Sequence, residues 1–279
     1  MTIDDSDPAG SDPAGSEPTG HEPAVTPEVP DLAEPTDSAL AARLATDAGL
    51  LLLRVRAQVG FADPAVLRNA GDARSQVLLA DALARYRPHD SVLSEEAADD
   101  PARLTARRVW IIDPLDGTRE FAEAGRSDWA VHVALWQDGE LTAGALALPA
   151  QGVTLATGAP LPERPAHAGG PRLVASRTRA PAVVGVVAEA LGGTVLPIGS
   201  AGAKVAAVVR GEADAYVHAG GQYEWDSAAP VAVARAAGLH TSRLDGSALL
   251  YNRPDPLLPD LLVCRPELAG PILALIADR

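Results

Sequence analysis

The chain has 279 residues, 47% of them apolar but only 4% aromatic, enough for one large or two smaller domains with a core built mainly from Ala, Leu and Val. The formal net charge is -14, yet residues 1–37 carry ten acids and no Lys or Arg; the remainder holds 27 acids against 23 bases, which gives no support for a nucleic-acid polymer as partner. Cys264 is the single cysteine, so no intrachain disulfide is possible, and Leu50–Leu53 is too short and too close to Arg54 and Arg56 to cross a membrane.

Residues 1–36 read as a disordered acidic tail rich in Pro and Gly, with DPAG occurring twice. They contain neither a basic nor an apolar leader, and a cytoplasmic, membrane-free protein is expected. Asp37 is a plausible N-cap for a first helix carrying Leu40, Leu44, Leu51, Val55 and Val59 at helical spacing, ended by Gly60. A second helix is expected from Asp72 to Tyr86. Ser91–Ser94 reads as a short strand leading into Glu95-Glu96, and Val109–Ile112 as a short buried strand. Asp128–Trp136 and Leu141–Leu148 form a hairpin around Asp138-Gly139.

Residues 158–170 are rich in Pro and Gly and read as a crossing between halves. Strands at Arg172–Ser176, Thr194–Ile198, Ala213–His218 and Leu261–Cys264 then alternate with helices at Pro181–Leu191, Ala201–Val209, Asp226–Ala237 and Pro266–Ala277. The expected class is α/β: an α+β N-terminal half, residues 37–160, with an antiparallel sheet, and an α/β C-terminal half, residues 161–279, that completes the active site.

The run VWIIDPLDGTREF, Val109–Phe121, places Asp113 and Asp116 at the mouth of a buried strand. Pro114 removes a backbone donor and Gly117 permits a tight turn, so the two carboxylates come together. Clustered carboxylates stay ionised together when a cation sits between them, and oxygen ligands suit Mg2+, with Mn2+ as the other candidate. An EF-hand loop counted from Asp113 would put Leu115 and Ala124 where oxygen ligands are needed. A solvated surface turn would explain DPLDG alone, but Glu95-Glu96 and Trp225-Asp226 provide further acids after a strand and at a helix start.

Taken in order, Glu95-Glu96, Asp113-Pro114-Leu115-Asp116-Gly117-Thr118 and Trp225-Asp226-Ser227-Ala228-Ala229 resemble the signature of the inositol monophosphatase-like superfamily of Mg2+-dependent phosphatases. The resemblance covers about residues 38–279 and implies a layered αβαβα sandwich. Glu120, where inositol monophosphatases typically carry Asn, looks like the CysQ-type 3'(2'),5'-bisphosphate nucleotidases, which act on 3'-phosphoadenosine 5'-phosphate.

That likeness implies roles for this chain's residues. Glu95, Asp113 and the Leu115 carbonyl would hold a first Mg2+, and Asp113, Asp116 and Asp226 a second. A third ion would sit near Glu95 through water. Glu95 and Thr118 would position and deprotonate the attacking water, with Asp72 as the acid at the start of the second helix. Here the sequence departs from the usual pattern, reading Val66-Leu67-Arg68-Asn69-Ala70-Gly71-Asp72. Gly117 and Thr118 would offer N–H groups to the phosphate.

The loop Gly199–Lys204 precedes a helix and fits an anion site that includes Ser200 and Lys204, the only lysine in the chain; the likeness to the nucleotidases implies that Lys204 would contact the phosphate that is retained. Arg177 and Arg179 are candidates for the other. Ala219 stands where inositol phosphatases place a glutamate, while His132 and His218 read as strand-lining residues. The implied partner is a small phosphorylated nucleotide, with relatives that are monomers or dimers. Inositol monophosphatase and fructose-1,6-bisphosphatase activities are the enzymatic alternatives, and a metal-dependent regulator without turnover is the non-enzymatic one.

Overall fold

Thr36, one residue ahead of the expected Asp37, starts the first helix: its Oγ1 accepts the N–H of Ala39 at 3.2 Å and caps α1 (Asp37–Val59). The computed structural model describes residues 35–164 and 168–278, so the expected tail lies outside the described residues up to position 34. Asp37 instead pairs with Arg87 and Arg108. A second boundary also moves. Asp63 accepts the N–H groups of Ala65 and Val66, and Pro64 fills the first helical position, so α2 spans Pro64–Tyr86. Asp72 is an interior residue of α2, not its cap.

The first sheet contains β1 (Ser91–Ser94), β2 (Arg108–Asp116), β3 (Ala130–Gln137), β4 (Glu140–Leu148) and β5 (Val153–Ala156) in that spatial order. The four-residue helix α3 (Thr118–Phe121) follows β2. β1 runs parallel to β2 and the remaining pairs are antiparallel, so the sheet is mixed, not purely antiparallel. β5 was not legible in the sequence because its four residues show no distinctive alternation. β2 continues past Ile112 because Asp113 still pairs with His132; the register then slips, and Asp116 pairs with Ala130. This bulge takes Pro114 and Leu115 out of register.

The second sheet is built from β6 (Arg172–Ser176), β7 (Thr194–Ile198), β8 (Ala215–Tyr223), β9 (His240–Ser242) and β10 (Leu257–Cys264), ordered β7-β6-β8-β10-β9. β6 is parallel to β7 and β8, whereas β10 is antiparallel to β8 and β9. The C-terminal helices are α4 (Ala182–Ala190), α5 (Ala201–Val209), α6 (Glu224–Ala236) and α7 (Pro266–Ala277).

Three apolar clusters define five layers. Helices α1 and α2 cover one face of the first sheet with Leu40, Leu44, Leu52 and Leu79 against Trp110, Val131 and Val133. Helices α5 and α6 fill the space between the sheets, and α4 and α7 cover the outer face of the second. The result is the expected αβαβα sandwich. Because β2 and β3 are buried on both faces, they read as nearly continuous apolar runs. Small residues let α6 approach closely: a side chain at Gly144 on β4 would come within 2.6 Å of Ala232 Cβ. Among the described residues, no helix is long and apolar enough to cross a membrane.

Candidate metal centre and active site

Asp113, Asp116 and Asp226 converge where the end of β2 meets the starts of α5 and α6. One carboxylate oxygen from each lies within 4.8 Å of the others. Asp113 is almost fully buried. Its Oδ1 accepts the N–H of Leu115 at 3.0 Å, while Oδ2 is buried without a hydrogen-bond partner. Burial, followed by the charges of Glu95, Asp116 and Asp226, pushes this carboxyl well above its ordinary range.

Asp116 is held differently. Its two oxygens accept the N–H groups of Ala201 at 3.2 Å and Gly202 at 2.6 Å in the first turn of α5. Buried His132 brings Nε2 within 3.1 Å of Asp116 Oδ2, while its Nδ1 contacts the Trp225 carbonyl at 2.9 Å. Burial alone would raise Asp116; His132, the Gly202 N–H and the charge of Lys204 outweigh it and hold Asp116 below the ordinary carboxylate range. Asp226, in the first turn of α6, accepts the N–H of Tyr223 at 2.6 Å and is raised to about 6, by burial first and then by Asp116.

Glu95 opens to solvent along one side of this cluster. The protein packed around its carboxyl, then Asp226, Asp116, Glu96 and Asp72, push it up to about 7. Asp72 reaches the same value through partial burial and the charge of Glu96, with Arg68 opposing. The helix interior therefore presents Asp72 to the Glu95-Glu96 segment. The crowding of like charge and the unpartnered Asp113 oxygen fit a divalent cation, and an all-oxygen donor set favours a hard one.

Gly117 has φ +83°, and a Cβ there would meet Ser200 Cβ at 2.8 Å; the turn after Asp116 thus requires glycine twice over. Thr118 follows, half-buried, at the start of α3. Leu115 fills the core beside Leu67 and Phe121.

Three expected substrate contacts have other partners. The anion held at the start of α5 is Asp116 itself, and Ser200 Oγ is occupied as the cap of α5, accepting the N–H of Ala203 at 2.9 Å. Lys204 is buried, with Nζ donating to the carbonyls of Gly199 at 2.7 Å and Ser200 at 2.8 Å, and burial lowers its affinity for the proton. Arg177 donates to Glu120 and Glu123, each at 2.9 Å. Glu120 is itself buried against Gly199, where any Cβ would come within 2.3 Å of its Cγ. These groups therefore shape the loop beneath the site.

Other supporting residues escaped the sequence reading. Asp128 accepts the N–H of Gly199 at 2.7 Å and, through its carbonyl, that of Ser200 at 3.2 Å. Buried Glu224 accepts the N–H groups of Asn252 and Arg253, and buried Arg103 donates to Asn252 Oδ1 and the Arg253 carbonyl. This network joins the segment after Glu95-Glu96 to the start of α6, which carries Asp226. Only the spacing of Asp99 and Arg103 hinted at it; the contacts across 149 residues between Arg103 and Asn252 did not.

A sequence model described as the inositol monophosphatase family matches residues 41–277. The chain is 52% identical over 258 residues to a Mycobacterium leprae protein named 3'-phosphoadenosine 5'-phosphate phosphatase, covering 88% of this chain and 95% of that one. It is 33% identical over 197 residues to the Escherichia coli 3'(2'),5'-bisphosphate nucleotidase CysQ, covering 66% and 78%. The fold superposes on inositol monophosphatase II from Staphylococcus aureus with a TM-score of 0.71 at 21% identity, covering 84% and 91% of the two chains.

Proposed function

The chain belongs to the inositol monophosphatase family, and on that premise we propose that it is a Mg2+-dependent phosphatase that hydrolyses the 3'-phosphate of 3'-phosphoadenosine 5'-phosphate to AMP and phosphate. The observation that carries this reading is near-full-length 52% identity to a protein named for that activity. The convergence of Asp113, Asp116 and Asp226 supplies the chemistry.

Asp113, Asp116 and Asp226 would hold one cation, and Glu95, Asp113 and the Leu115 carbonyl would hold another. When bound, the metal polarises a phosphoryl oxygen and makes water more acidic. The chain's own residues do the rest. The backbone N–H groups at the starts of α5 and α6 keep the carboxylates of Asp116 and Asp226 oriented. Glu95, on the open side, orients the attacking water together with the Thr118 hydroxyl and takes its proton on a carboxylate oxygen. The water oxygen bonds to phosphorus, the ester bond breaks, and the 3'-oxygen leaves and is protonated. The N–H groups of Gly117 and Thr118 would donate to the phosphate oxygens. Asp72 supports Glu95 and Glu96 from α2. Two or three Mg2+ ions, with Mn2+ as a substitute, and a cytoplasmic setting complete the reading.

A phosphate-release panel with Mg2+ tests it, comparing 3'-phosphoadenosine 5'-phosphate, inositol 1-phosphate and fructose 1,6-bisphosphate. The bisphosphate nucleotide should be the fastest substrate, with AMP as product and no release in EDTA. Steady turnover of inositol 1-phosphate with none of the nucleotide would overturn the assignment.

A further inference from the structure

Tyr223 and Trp225 stand at the start of α6, immediately before Asp226. Their rings are stacked, with centroids 4.7 Å apart and planes 12° from parallel. Trp225 is partly buried against the core, whereas Tyr223 is 46% exposed. One face of the tyrosine is therefore covered and the other is open. Aromatics make up only 4% of the chain, so a paired, half-exposed one is unusual here. Its backbone N–H is bonded to Asp226 Oδ2 at 2.6 Å, which ties the ring's position to a carboxylate of the metal centre.

The surroundings suit a flat apolar ligand. Leu257 pairs with Tyr223 across the β8–β10 ladder and is 48% exposed, giving an apolar shoulder. On the chain side, Gly220 leaves open space where a Cβ would stand. Nothing on the Tyr223–Trp225 pair can form an ion pair with phosphate, so it complements the part of the substrate that the acid cluster and the α3 turn do not.

We propose that the open face of Tyr223 is the base-stacking platform of the active site, and that it selects phosphate esters carrying a purine base over those without one. This rests on the reading of the substrate as a bisphosphate nucleotide. The Trp225 ring beneath Tyr223 holds the platform flat before ligand arrives, so little side-chain freedom is lost on binding. Stacking tolerates different bases because every base offers a π-face. A purine adds more overlap than a pyrimidine.

The test measures kcat/KM with Mg2+ for 3'-phosphoadenosine 5'-phosphate and for the base-free ester β-glycerophosphate, in the wild type, Tyr223→Ala and Tyr223→Trp. Tyr223→Ala should lower the ratio of the two values roughly 5- to 100-fold, chiefly through KM for the nucleotide. Tyr223→Trp should keep the ratio near the wild-type value. A thermal melt of each variant separates this from loss of fold. An unchanged ratio, or a ratio that Tyr223→Trp fails to keep, overturns the platform. If the wild type itself shows no preference for the nucleotide, the substrate reading fails first and the platform falls with it.

Discussion

The carboxylate of Asp116 accepts the backbone N–H of Gly202 at 2.6 Å, joining the end of β2 to the first turn of α5. One end of this contact lies in the first sheet and the other in the helix layer between the sheets. The metal centre is therefore assembled only when both halves of the chain are in place. The same bond adds to the larger effect of buried His132 in holding Asp116 below the ordinary carboxylate range beside two other acids.

Gly202 cannot carry a side chain: a Cβ there would lie 2.2 Å from His132 Nε2 and 2.7 Å from Leu146 Cδ1. Gly202→Ala should destabilise the protein by about 1–3 kcal/mol, as overpacking of a closed interior does. Displacing His132 or α5 should also weaken Mg2+ binding. A denaturant melt and an isothermal Mg2+ titration read the two effects, and a variant that melts and binds like the wild type would contradict this packing.

Asp113→Asn separates catalysis from stability. Without metal, the substitution removes a buried like charge, so the melting temperature should rise. Phosphate release should fall by more than about 100-fold, beyond the usual loss for an outer hydrogen-bond partner of a metal ligand. The Mg2+-induced rise in melting temperature should shrink as well. Melts with EDTA and with Mg2+, set beside phosphate release, check the three together.

The raised acids give the metal-free protein a definite pH slope. Glu95 and Asp72 stand at about 7 and Asp226 at about 6, so the folded state binds protons more tightly than the unfolded one. Their contribution is fully present below the ordinary carboxylate range and is lost as pH rises through those values. In EDTA the melting temperature should therefore fall from about pH 5 to about pH 8, and Mg2+ should flatten or reverse that slope. Calorimetric scans across the range, with and without metal, provide the measurement.

Lys204 braces the Gly199–Ser200 carbonyls from inside. Lys204→Met leaves these two acceptors without their charged donor and should cost about 1–3 kcal/mol of stability. It should reduce turnover of the nucleotide and of a base-free ester by similar factors. A selective rise in KM for the bisphosphate nucleotide would instead mark Lys204 as a direct phosphate ligand.

The motifs were legible because their residue types carry the chemistry wherever the chain runs. Asp113-Pro114-Leu115-Asp116-Gly117 announces a tight glycine turn that brings two carboxylates together, although β2 runs on through it to Asp116 by way of a bulge, and most second-half helices and strands follow from periodicity. Boundaries set by competing caps were less so: Asp72 could cap a helix, but Asp63-Pro64 starts one earlier. Short strands such as β5 and β9 draw their identity from a neighbouring strand, not from their own residues.

The sequence by itself determined the acids, the glycine turn between two of them and the layered class of fold. Only the tertiary structure decided which groups meet. It gave Ser200 the cap of α5, set Lys204 against the carbonyls of Gly199 and Ser200, paired Arg177 with Glu120 and Glu123, and placed Asp72 beside Glu96. The physical reason is that a charged or polar group takes the nearest partner in space as it leaves water. That partner is set by how the two sheets pack on α5 and α6, from segments far apart in the chain.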